Sequence, residues 1–211
     1  MTSARLLASC LLACAIFGAR PARAETAGET PAGEGAQPGG TVLRLRLGPT
    51  YLSTRLNRVP DLSAERYAGA GVAFDAEIGR ARASTFTVCA ELSGALVPGA
   101  NAADSGTLDS GTAVADLATA AVGASFTYTN PANFYVAATP ALMTIVVDDH
   151  GRKSSYFDPG LEIGFVAGGE WRVSRRWRLG LAAEARYAAM GGSPDISTMS
   201  QYALLFSASH G

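Results

Sequence analysis

From Thr41 onward, apolar side chains recur at every second position, the spacing of a strand with two unlike faces rather than of a helix. In the first run Leu43, Leu45 and Leu47 point one way, Arg44 and Arg46 the other. Val72, Phe74, Ala76 and Ile78 alternate with Ala73, Asp75 and Glu77, and Phe86, Val88, Ala90 and Leu92 alternate with Thr85, Thr87, Cys89 and Glu91. The run 113–128 is rich enough in alanine to suit a helix. It nevertheless keeps the alternation through Ala120, Val122, Ala124, Phe126 and Tyr128, which predicts a fourth strand. The fifth run, 134–147, is nearly all apolar; Pro140 within it lacks an N–H for the ladder and predicts a bulge or a locally unpaired position. Leu161, Ile163, Phe165, Ala167 and Trp171 mark a sixth strand, Trp177, Leu179, Leu181, Ala183, Ala185 and Tyr187 a seventh, and residues 200–208 an eighth.

The connections alternate as well. Segments 54–67, 97–112, 148–160 and 190–199 are long and polar, whereas 79–83, 129–133 and 173–176 are short. Long loops at one end and short turns at the other are the plan of an even-numbered antiparallel barrel of an outer membrane. Over residues 41–208 the chain resembles the small eight-stranded outer-membrane β-barrel proteins of Gram-negative bacteria, most of all at 160–164, through Trp171, Arg172 and Val173, to 177–181 and Tyr187. The resemblance implies an all-β fold: an eight-stranded antiparallel up-and-down transmembrane β-barrel with short periplasmic turns and four longer external loops. Barrels of this kind usually end on an aromatic residue that the assembly machinery reads. This chain departs from that pattern, continuing past Phe206 through Ser207, Ala208, Ser209 and His210 to Gly211.

Lipid demands an apolar exterior and leaves the polar side chains for the inside. A soluble exported barrel that binds an apolar ligand shows the same alternation with its faces exchanged, and would make Leu43, Phe74, Phe86 and Leu181 a cavity lining. The aromatic residues favour the membrane form. Trp171 and Trp177 bracket one short turn and Tyr128 and Phe134 another, while Tyr51, Tyr187 and Tyr202 fall at the opposite strand ends, so two aromatic girdles are expected. The polar face is self-complementary. A register that sets Arg46 across from Asp75 also sets Arg44 across from Glu77, and one that sets Glu170 across from Arg178 also sets Glu162 across from Arg186. An eight-stranded barrel is just wide enough for its side chains to fill, so these pairs predict a packed polar lumen without an open pore.

Upstream of the strands, Arg5 precedes an apolar run from Leu6 to Phe17, then Gly18 and Pro21, then Ala22, Arg23 and Ala24. This is the grammar of a secretory signal cut after Ala24. Leu11, Leu12, Ala13 and Cys14 also resemble a lipobox, which makes acylation of Cys14 the alternative. The expected domains are therefore a signal peptide at 1–24, a linker at 25–40 with no bulky apolar residue, and the barrel at 41–211. Seventeen basic and eighteen acidic residues give a net charge of −1; the cut leaves fourteen against eighteen, or −4. That balance offers nothing to nucleic acid. Cys89 is then the sole cysteine, so no internal disulfide is available.

Little chemistry stands out. The histidines are His150, in a loop, and His210, next to the last residue, and neither sits where a strand would fix it against a serine. Asp148, Asp149, His150 and Asp158 supply metal-ligand atoms without a recognised spacing. The repeat of Asp-Ser-Gly-Thr at 104–107 and 109–112 reads as loop growth. No catalytic residue, cofactor or metal is expected. The expected role is that of a non-enzymatic, monomeric outer-membrane barrel, structural or surface-interacting. Its expected partners are outer-membrane lipid and an extracellular ligand at loops 54–67, 97–112, 148–160 and 190–199. A soluble ligand-binding barrel and a lipid-modifying outer-membrane enzyme are the competing classes.

Overall fold

A computed structural model describes residues 40–56, 66–102, 114–149, 154–191 and 196–211. The signal sequence, the linker as far as residue 39, Cys10, Cys14, His150, Lys153 and the centres of the longer loops lie outside the described residues. The strands are β1 (Thr41–Arg55), β2 (Arg66–Ala83), β3 (Phe86–Ala102), β4 (Val114–Thr129), β5 (Phe134–Asp149), β6 (Ser154–Arg172), β7 (Trp177–Met190) and β8 (Ser197–His210). Each pairs antiparallel with the next, and β8 pairs with β1, so the sheet closes as an eight-stranded up-and-down barrel. Residues 114–128 are strand, not helix, as their alternation predicts.

The strands run further than their apolar stretches. Segment 148–160 is not a long loop: Val146 pairs with Phe157 and Asp148 with Ser155, leaving only 150–153 as the connection, no longer than the turn at 130–133. Likewise β3 continues to Ala102, β1 to Arg55, and β8 begins at Ser197. Polar residues at these ends look like loop because the polarity of the two faces exchanges there. Over most of β1 the outward residues are Leu43, Leu45, Leu47 and Tyr51, with Arg44 and Arg46 buried inside; beyond Tyr51 the outward residues are Ser53 and Arg55, and Leu52 and Leu56 are buried. Strand β8 shows the same exchange, with Phe206, Leu204 and Tyr202 outside and then Ser200 and Thr198, while Met199 is buried. The lumen therefore has two storeys. A polar one lies toward the short turns, and an apolar one toward the long loops holds Leu52, Tyr67, Val97, Leu117, Ile145 and Met190. The expectation of a wholly polar lumen is corrected accordingly. Strands of 14 to 19 residues are longer than the roughly 10 that cross a bilayer, and the excess packs inward like a soluble protein.

Two irregularities follow from single residues. The β4–β5 ladder lapses between Gly123–Ala141 and Phe126–Ala138, around Pro140, without a change of register; Pro140 remains paired to Ile163 on its other side. In β3 a register shift between Val97 and Ala100 is made by Gly99, whose φ of 64° is the left-handed region that favours glycine, and whose N–H donates to Asp116 Oδ1 at 2.9 Å.

The apolar storey predicts an asymmetry between the two faces of β1. Leu52→Ala should cost about 2–5 kcal/mol in guanidinium unfolding of the detergent-solubilised barrel, as for other large cavities. Leu45→Ala, half exposed on the outer face, should cost clearly less. Equal losses would mean that the outer lumen is not a packed core.

Candidate functional site

Inward parity on the first seven residues of β1 and on the facing part of β2 brings four charges together. The β1–β2 register places Arg44 opposite Glu77 and Arg46 opposite Asp75. Arg44 Nη1 donates to Glu77 Oε2 at 2.7 Å and Arg46 Nη1 to Asp75 Oδ2 at 3.0 Å; Arg46 Nη2 also reaches Glu77. Both guanidinium groups lie against the ring of Tyr135, at 4.7 and 5.9 Å from its centroid, which adds cation–π attraction inside the barrel.

A second centre forms around Arg186 of β7. Its guanidinium donates to Glu162 at 2.7 Å, Asp75 at 2.9 Å, Glu91 at 2.7 Å and Glu184 at 2.5 Å, and to the Ser93 hydroxyl at 2.9 Å. Asp75 joins the two centres, and Glu170, which accepts from Arg44 Nε at 2.8 Å, extends the network toward the short turns. Three guanidinium groups thus face six carboxylates, all buried. Neutral donors hold the surplus acceptors: Ser125 to Glu77, Thr139 to Glu91, Ser207 and Ser209 to Glu170, and Gln201 to Glu184. Arg186 crosses Gly164, the residue opposite it on β6, where a Cβ would stand 3.4 Å from Nη1.

The β6–β7 register differs from the sequence expectation by two residues. Glu170 faces Gly180, Glu162 faces Ala188, and Arg178 faces Arg172. The cause is the turn. Ser174, Arg175 and Arg176 form a tight connection closed by the Val173 N–H on the Trp177 carbonyl at 3.0 Å, with the Ser174 hydroxyl accepting from Trp177 N–H at 3.1 Å. Glu170 and Arg178 therefore do not pair, and among the described residues Arg178 has no ion pair. Glu162 and Arg186 still meet, because a long side chain reaches the diagonal neighbour. Glu91 and Glu184 were absent from the expected pairs. Their inward parity is visible and no arginine stands opposite either one; closure of the barrel carries Arg186 to Glu91, whereas Glu184 meets Arg186 as its neighbour two residues away on the same face of β7.

The seven aromatic residues expected in the girdles all lie on the outer surface, whereas Tyr67 and Tyr135 are buried inside. Trp171, Trp177, Tyr128 and Phe134 stand at the short-turn end, and Tyr51, Tyr187 and Tyr202 toward the other, Tyr51 directly beside Tyr202. Leu43, Phe86 and Leu181 are exposed on this same surface and Phe74 is half-buried there, so none lines an internal cavity. Asp158 points into the barrel while Asp148 takes the outward parity of β5, which separates these two of the four metal-ligand candidates; His150 lies outside the described residues. His210 packs edge-on against Trp177, with ring centroids 5.1 Å apart. Cys89 is buried and free.

Removal of the shared cation tests the network. Arg186→Met leaves Glu91, Glu162 and Glu184 without a guanidinium and Asp75 with Arg46 alone, and should cost roughly 3–5 kcal/mol, read as a lower temperature at which the compact band disappears on unboiled gels. Arg178→Met, which breaks no ion pair, should leave that temperature within a few degrees of the parent. A reversed order would restore the Glu170–Arg178 register.

No protein family matches the chain, and no curated protein matches it by sequence. Solved structures do. Neisserial surface protein A is 13% identical, with a TM-score of 0.48, the match covering 80% of this chain and 96% of that one. The outer membrane protein OprG from Pseudomonas aeruginosa is 13% identical, with a TM-score of 0.47 and coverage of 84% and 99%. The outer membrane protease OmpT from Escherichia coli is 6% identical, with a TM-score of 0.40 and coverage of 81% and 96%.

Proposed function

We propose that the protein is an integral outer-membrane barrel with a sealed lumen and a non-catalytic, structural or surface-interaction role. One observation carries the reading: an uncharged apolar belt around the whole closed sheet, bounded by aromatic rings. Trp177 and Tyr187 are ten residues apart on β7. At about 3.4 Å per residue and a tilt of about 40°, their rings stand about 26 Å apart along the axis, close to the ~25 Å lipid-facing band of a transmembrane barrel. Between those levels the outward residues are of the kind of Leu43, Leu45, Phe165, Leu181 and Leu204, with no charge among them. Past the upper ring the outward residues turn polar, as Ser53, Arg55, Asp116 and Ser200 show, which is where headgroups would begin.

The non-catalytic part of the reading is supported by how the lumen hydroxyls are used. Ser207 and Ser209 are committed to Glu170, Ser125 to Glu77 and Ser93 to Arg186, all buried below the apolar storey and out of reach of lipid or water. The same two storeys block a pore, since ions would have to cross both a filled charge network and an apolar plug. What remains for partners is the long-loop end, above all the connections at 56–65 and 103–113.

Fractionation of a Gram-negative host producing the full chain should recover it in the outer-membrane pellet, with faster gel migration unboiled than boiled. Recovery as a soluble periplasmic protein would refute the reading. In planar bilayers the purified protein should give no stepwise ion conductance; regular steps would show the lumen to be open.

A further inference from the structure

The charges left after the lumen network is accounted for are not spread evenly. Five exposed arginines, Arg80 and Arg82 at the end of β2 and Arg172, Arg175 and Arg176 around the β6–β7 turn, crowd the short-turn rim, with half-buried Arg178 just inside. None of the six has an ion pair among the described residues, and no acidic side chain occurs in 78–90, 117–147 or 171–183. The two groups belong to one arc. The Gly211 N–H donates to the Arg176 carbonyl and the Ala81 N–H to the Gly40 carbonyl, so the ends of β8 and β1 bridge the gap of three strand spacings, about 15 Å.

We propose that this rim is a binding site for the phosphate headgroups of anionic phospholipids, such as phosphatidylglycerol, in the leaflet it faces. The proposal rests on the membrane-spanning reading above. Depth is the first argument. Trp171 and Trp177 mark the boundary between hydrocarbon and headgroup, and Arg172, Arg175 and Arg176 lie in the turn between them, at the level of the phosphates. Chemistry is the second. Every one of these cations is an arginine, whose planar fork donates two parallel hydrogen bonds to a phosphate. The third is the direct opposition of Arg172 and Arg178 across the β6–β7 ladder, a like-charge pair that is unfavourable unless an anion lies beside it. A basic residue at an anionic surface strengthens association about fivefold, so the arc as a whole is strongly selective even after screening.

The test uses the fact that the chain has two tryptophans, Trp171 and Trp177, both beside the arginines. The full chain is reconstituted in vesicles of phosphatidylcholine and phosphatidylglycerol in equal parts, with bromine on the acyl chains of one lipid or the other, and tryptophan quenching is read. Brominated phosphatidylglycerol should quench several-fold more than brominated phosphatidylcholine. High salt and the triple variant R172Q/R175Q/R176Q should both bring the two to equality, with the heat-dependent gel shift retained. Equal quenching of the parent protein in low salt would overturn the proposal. If instead the excess appears only after E25Q/E29Q/E34Q, the arginines are held by the chain's own acidic segment and lipid is not the occupant. No quenching by either lipid would refute membrane insertion itself, which keeps the two failures apart.

Discussion

Closure of the sheet is the constraint from which the other features follow. Because β8 pairs with β1 from Leu43–His210 to Arg55–Thr198, no edge strand is left, and every strand must present one set of alternate residues inward and the other outward. An interior walled by eight strands has room for side chains and little else. Any charge on the inward set is therefore cut off from water and must find its counter-charge across the barrel. That is why Arg186 on β7 serves carboxylates on β2, β3 and β6 as well as on its own strand, and why the hydroxyls of β4, β5 and β8 are spent on the acceptors that the arginines leave over.

The sequence carries the strand count, the inward and outward parity and the β1–β2 register openly, because period-two alternation is local and two charge pairs fix one register together. It carries the β6–β7 register poorly. There the same argument from charge pairs chose Glu170 with Arg178, whereas the tight turn at Ser174 sets the pairing and Arg186 reaches Glu162 diagonally. Local backbone geometry outweighs a charge pair worth little until the barrel is closed. Likewise, parity assigns Glu91 to the lumen but gives it no partner, since Arg186 reaches it from the far side of a structure that alternation alone does not assemble, whereas Glu184 stands two residues from Arg186 on the same face of β7.

The exchange of faces is legible too. In β1 the apolar residues sit at odd numbers as far as Tyr51 and at even numbers from Leu52 to Leu56, a phase change with no change of spacing. Such a change within one strand means that the environment outside changes along its length. Segment 148–160 reads as a loop for the same reason: outside the apolar belt an outward residue is expected to be polar, and Asp148, on the outward parity of β5, is a paired strand residue that obeys the rule for water.

Taken along the axis, charge is sorted as well as polarity. The short-turn rim is cationic, the lumen network holds twice as many carboxylates as guanidinium groups, and the described long-loop end presents Asp116 and Asp148 beside Arg55 and Arg66. The lumen carboxylates lie one storey above the rim arginines, and Glu170, nearest to them, is already engaged by Arg44, Ser207 and Ser209. The rim cations are thus left to whatever anion the surroundings supply. A lumen whose charges are paired within it and a rim whose charges are not are complementary outcomes of one rule: buried charge must be paired within the fold, whereas charge at the surface can be paired by what surrounds it.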